Sequence, residues 1–89
     1  MRGTHIVDLK TAIEIYWSKV ELENEDITRL FGASRSTVFK LKKAVQEEMA
    51  RQGRLPWSSS AVITEIAYKV WKIDIADLER RYSKLQKYS

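Results

Sequence analysis

Seven residues within nine positions, Arg35, Ser36, Thr37, Phe39, Lys40, Lys42 and Lys43, are the part of this 89-residue sequence with the densest chemistry. Guanidinium and ammonium groups supply cationic donors, two hydroxyls supply short-range donors and acceptors, and Phe39 adds one apolar ring. This set suits recognition of a polyanion, because it offers charge and hydrogen bonds but no nucleophile set beside a base. Nothing elsewhere points to catalysis. The chain has no cysteine and one histidine, His5, so neither a thiolate metal site nor a Cys/His cluster can form. His5 itself reads as a terminal surface residue. No phosphate-cradling glycine loop and no paired-carboxylate motif stands out. An enzyme, a cofactor and a bound metal are therefore not expected.

The charge distribution supports the same emphasis. The formal net charge is +4, but residues 1–33 sum to −2, residues 34–54 to +4 and residues 55–89 to +2. The positive excess is densest in the segment that opens at Ser34, and nucleic acid is the commonest polyanion such a segment meets.

The elements that must position these residues are five helices, with no strand expected, because apolar residues recur at three and four and never alternate for long. Helix 1 covers about residues 5–20, with a stripe of Ile6, Leu9, Ile13, Trp17 and Val20; Ile15 and Tyr16 fall off its centre, partly exposed or against a partner. Asn24 is the expected N-cap of helix 2, about residues 25–31, followed by Glu25 and Asp26 where negative charge favours the helix dipole. Ile27, Leu30 and Phe31 face inward. Gly32 ends this helix and Ser34 caps the next, which runs to about Gln52 with a stripe of Val38, Leu41, Val45 and Met49 and Gly53 as its stop. "GRLPWSSS" is a loop. Ser59 or Ser60 caps helix 4, about residues 60–72, which carries a wide apolar face. Asp74 caps helix 5, about residues 75–87, with a stripe of Ile75, Leu78, Tyr82 and Leu85. Residues 63–82 loosely echo residues 24–43, with Trp71 at the place of the glycine and the downstream spacing off by one.

On a helical wheel at about 100° per residue, Val38, Leu41 and Val45 cluster within about 60°. Ser36, Phe39, Lys40 and Lys43 sit almost opposite, with Arg35 and Lys42 toward one flank. The chemistry-bearing residues are thus aimed away from the core. Phe39 is either exposed there or covered by helix 1 or helix 4.

Ile27, Leu30, Phe31, Gly32, Ser34, Ser36, Thr37, Val38, Lys40 and Leu41 form a pattern that resembles the helix-turn-helix of DNA-binding proteins. It is most similar to the reading domains of serine resolvases and invertases and of related transposase and phage proteins. The resemblance covers about eighteen residues, with helix 1 as a plausible third helix. Thr28 departs from it, since the family usually has a small residue there; its hydroxyl can be accommodated by bonding a backbone carbonyl. The resemblance implies that the helix opening at Ser34 lies in a major groove. Arg35 and Lys40 are then candidates for guanine edges or nearby phosphates, and Ser36 for a base or a phosphate. Thr37 meets the backbone, Phe39 a thymine methyl group, and Lys42 and Lys43 phosphates.

The expected organisation is all-α: residues 1–54 form a helix-turn-helix unit, and residues 55–89 form a helical pair in the same domain or a dimerisation element. The expected function is sequence-specific binding of double-stranded DNA by a small regulator or a recombination or phage accessory factor. The alternative is a protein-interaction adaptor with a helix-turn-helix fold that does not read DNA. Trp71, Tyr82 and Leu85 are candidates for a homodimer surface; Trp17, Trp57 and Trp71 read as core or interface. No apolar run approaches the roughly 20 residues of a membrane span, so no membrane partner is expected and the cytoplasm is the default location.

Overall fold

The computed structural model describes residues 6–87; His5 lies outside them. The element order is α1 (Leu9–Ser18), β1 (Glu21–Leu22), α2 (Asn24–Phe31), α3 (Arg35–Gln52), β2 (Val62–Ile63), α4 (Thr64–Val70) and α5 (Ile75–Lys87). The fold is mainly α, and the expectation of no strands is corrected by one small antiparallel sheet. In it Glu21 faces Ile63 and Leu22 faces Val62. The sheet answers a local need. Leu22 and Val62 are fully buried, and the backbone groups beside them would lack water, so each strand satisfies the other. The Thr64 N–H continues the pairing by donating to the Val20 oxygen at 3.0 Å. Segments of two residues are too short to show alternation, which is why periodicity missed them.

Helix starts follow from side chains that take up free N–H groups. At α1, an Asp8 carboxylate oxygen accepts the Thr11 N–H at 3.0 Å and the Thr11 hydroxyl at 2.8 Å. The Thr11 hydroxyl foremost holds the Asp8 carboxyl below its usual range. At α2 the expected cap Asn24 is displaced: Glu23 is the N-cap, and Asp26 reaches back to accept the Glu23 N–H at 2.9 Å. Asp26 is buried and also faces Lys19 at 3.6 Å and Arg29 at 4.0 Å. At α5, Asp74 accepts the N–H groups of Ala76 and Asp77 at 3.1 and 3.3 Å, as expected of a cap.

Two further expectations are corrected. The buried side of α1 is Ala12 and Ile15, while Trp17 is 65% exposed and Val20 is also exposed. Ala12 is small enough to admit the Tyr68 hydroxyl, which donates to the Ala12 main-chain oxygen at 2.7 Å; that close approach turns α1 about its axis. Helix α4 begins at Thr64 rather than at residue 60, with Ile63 as its N-cap, and Ser60, one of the two expected caps, is engaged elsewhere. Ser58 and Ser60 donate to the Glu23 carboxylate at 3.2 and 2.9 Å.

One core joins these pieces. Ile15, Leu22, Ile27, Val45, Val62, Ile66 and Leu78 belong to one buried cluster with Tyr68, so every helix and both strands contribute to it. Among the described residues, no helix is long and apolar enough to cross a membrane.

Candidate nucleic-acid interface

The α2–α3 turn sets the position of the site. Gly32 has φ 62°, and a Cβ there would lie 3.0 Å from a Val7 methyl carbon. The segment before α1 therefore crosses close over the turn, where the Val7 N–H donates to the Leu30 oxygen at 3.0 Å. Glycine meets both demands, left-handed backbone and close approach. Thr28 bonds the Asn24 carbonyl through its hydroxyl at 3.0 Å, so the departure from the resembled pattern is accommodated within α2 itself.

Ser34 is the N-cap of α3. Its hydroxyl oxygen accepts the Thr37 N–H at 3.4 Å, lies 3.3 Å from the Ser36 hydroxyl and donates to the Thr37 hydroxyl at 3.2 Å. From that start, Val38, Val45 and Met49 are buried and Leu41 is half-buried. The opposite side of the helix is left outside.

Five of the seven candidate residues are brought together there. Arg35, Ser36, Phe39, Lys40 and Lys43 line one open hollow of about 690 Å³. Phe39 is 67% exposed, which settles its position: neither α1 nor α4 covers it. The other two candidates are placed elsewhere. Thr37 is half-buried and spends its hydroxyl in the cap cluster. Lys42 leans to the far flank, where its ammonium donates to the Asn24 side-chain oxygen at 2.9 Å. With Asn24, Thr28, Arg35 and Phe39 it lines a second open cleft of about 670 Å³ between α2 and α3. Asn24 is the site residue that sequence reasoning missed; its partner lies on another helix, a relation no helical wheel displays.

The arginine of this face differs from the other arginines of the surface. Arg29, Arg51, Arg54, Arg80 and Arg81 each lie within 4.0 Å of a carboxylate. Among the described residues, Arg35 is the one arginine with no carboxylate partner, and Lys40 and Lys43 have none either. A cationic face kept free of internal counterions is open to an external anion.

The other aromatic candidates fall into three situations. Trp71 is half-buried, donates its indole N–H to the Leu41 oxygen at 3.1 Å and meets Phe31 edge-on at 5.2 Å. Trp17 lies on the surface and donates to the Glu79 carboxylate at 2.8 Å. Trp57, expected in a core or interface, is 94% exposed in this chain. Its loop is clamped from below: the N–H groups of Trp57 and Ser58 both donate to the Glu21 carboxylate. Tyr82 is half-buried and Leu85 exposed. No cluster of three or more metal-ligating side chains occurs among the described residues.

No protein-family model, curated protein or solved structure matches the chain.

Proposed function

We propose that the chain is a sequence-specific double-stranded DNA-binding protein in which α1, α2 and α3 form a helix-turn-helix unit and α3 enters the major groove. The observation that carries this reading is the unpaired cationic face of α3. Arg35, Lys40 and Lys43 surround an exposed Phe39 at the N-terminal half of the helix, which is the part a groove-reading helix presents to base edges. Arg35 and Lys40 are the base-edge candidates, Lys43 a phosphate contact, and Ser36 serves either. Lys42, held by Asn24, lies where a phosphate flanking the groove would be met. A small regulator or a recombination or phage accessory factor fits a single module of this size, and pairing of two copies would extend its site.

The exposed ring of Phe39 favours a second reading, a protein-interaction adaptor. One experiment separates the two. Binding to duplex DNA is measured by fluorescence anisotropy across a salt series for the wild type and for a Lys40→Ala, Lys43→Ala variant. DNA binding predicts an affinity that falls steeply with salt, and a variant that binds more weakly with a slope shallower by about 0.9, for the phosphate contact of Lys43. A wild type that binds no duplex at low salt removes the DNA reading and leaves the adaptor.

A further inference from the structure

The second half of the chain repeats the first at an offset of 40 residues, the separation of Leu22 from Val62. Strand β1, helix α2, a left-handed residue, a capping residue and helix α3 have counterparts in β2, α4, a left-handed residue, a capping residue and α5. The left-handed residues are Gly32 and Lys72, with φ 62° and 61°. The caps are Ser34 and Asp74, and the first buried residues beyond them are Val38 and Leu78. The register differs by one from the echo visible in the sequence: Lys72, not Trp71, takes the glycine's place.

Equivalent residues also touch each other. Leu22 is the strand partner of Val62, and Phe31 meets Trp71 edge-on. A residue packed against its own equivalent marks a two-fold axis between them, as in an isologous interface. Two such contacts, one before α2 and α4 and one at their ends, define a local axis within a single chain. A two-fold rotation leaves the component along its axis unchanged. The outward faces of α3 and α5 therefore share the sense of whatever component they have along that axis.

The two faces carry different chemistry. Ile75, Ala76 and Glu79 stand where α3 has Arg35, Ser36 and Phe39. Helix α1 closes that flank: Trp17 takes the Glu79 carboxylate, and Tyr68, the counterpart of Thr28, donates to Ala12. The open surface of α5 includes a ridge of Arg80, Lys84 and Lys87, within about 60° of one another on a helical wheel. Arg80 is the counterpart of Lys40. Asp77 pairs with Arg80 and Arg81, while Lys84 and Lys87 have no carboxylate partner among the described residues. The molecule is 42 Å long, enough to reach across one helical turn of B-DNA, about 34 Å.

We propose that α4–α5 is a second helix-turn-helix unit that does not read bases and instead grips the DNA backbone through Arg80, Lys84 and Lys87. The inference rests on the DNA-binding reading of α3 and assigns the phosphate backbone as the ligand of a second surface. Phosphate contacts of this kind fix register and add affinity without sequence information.

The test uses the full chain and a duplex of about three helical turns, roughly 30 base pairs, in a salt series. A Lys84→Ala, Lys87→Ala variant is compared with a Lys10→Ala, Arg54→Ala variant that removes two charges from α1 and from the loop after α3. The expected result is a slope shallower by about 1.8 in the α5 variant alone, with base preference unchanged. An unchanged slope, an equal change in both variants or an altered base preference overturns the proposal. The Lys40→Ala, Lys43→Ala variant tells this failure from failure of the α3 reading. If it binds like wild type while the α5 variant is weakened, the backbone grip survives and α3 as reader does not.

Discussion

Gly32 and Lys72 hold the same left-handed backbone, with φ 62° and 61°, at equivalent turns of the two halves of the chain. Only one of them is a glycine, so the two positions respond to substitution in opposite directions. Lysine in this region costs about 1–2 kcal/mol. Lys72→Gly relieves that cost but adds freedom to the unfolded chain, for a net gain of about 0.5–1 kcal/mol. Gly32→Ala acquires the cost and also presses a Cβ to 3.0 Å from Val7, so it loses about 2 kcal/mol or more. Urea unfolding midpoints at unchanged m-value measure both. A Lys72→Gly protein less stable than wild type would show that the lysine side chain contributes more than its backbone strain removes.

Tyr68 links α4 to α1, and its ionisation gives the fold an alkaline limit. Burial foremost, with the nearby Tyr16 and Asp26, pushes its phenol well above the ordinary range. The folded pKa is raised, so the neutral form is favoured in the native state. The associated stability is fully present below the unfolded value of about 10 and is lost as pH rises above it. Tyr68→Phe removes the 2.7 Å bond to Ala12 and costs about 1 kcal/mol at neutral pH. The variant's stability then declines less steeply than wild type above about pH 10. Chemical denaturation at a series of pH values gives both curves; parallel curves would mean that Tyr68 is not the group responsible.

How much of this was legible beforehand depended on where each element finds its partners. Helix α3 is long and periodic, with its cap at Ser34 and its stop at Gly53, so its observed span of Arg35–Gln52 was readable from local signals. The outward placing of Arg35, Ser36, Phe39, Lys40 and Lys43 followed from the same periodicity. What was not readable involves distant residues. The face of α1 is set by Tyr68 finding room at Ala12, and Ser60, an expected cap of α4, is held instead by Glu23. The role of Asn24 is set by Lys42, eighteen residues later. The 40-residue offset was obscured because Lys72 keeps a glycine's backbone without being a glycine.

The loop between α3 and β2 is held by two carboxylates, and the share of Glu21 can be tested by proteolysis. Glu21 accepts the N–H groups of Trp57 and Ser58, while Glu23 holds the Ser58 and Ser60 hydroxyls. Glu21→Ala removes the first pair of bonds and frees the exposed stretch around Arg54. Trypsin cleavage after Arg54 should then speed up several-fold while the free energy of urea unfolding changes by under about 1 kcal/mol, because local opening is decoupled from global unfolding. An unchanged cleavage rate would show that Glu23 and Pro56 suffice to hold the loop.

Phe39 makes the sharpest demand on the DNA-binding reading. It is exposed, so Phe39→Ala should change stability by no more than about 0.5 kcal/mol. Its ring lies between the cationic groups of Arg35, Lys40 and Lys43. In a major groove the apolar group available to such a ring is the thymine methyl. Once a preferred duplex has been selected, each thymine in it is replaced in turn by deoxyuridine, which lacks only that methyl. Burying one such group is worth about 0.8 kcal/mol, so wild type should lose about fourfold in affinity at one position. Phe39→Ala should lose a similar amount on the unmodified site and nothing further when that methyl is absent, the non-additivity expected of two groups in direct contact. If wild type is indifferent to every methyl while Phe39→Ala still weakens binding, the ring meets sugar or phosphate surface, and base discrimination falls to Arg35, Ser36 and Lys40 alone.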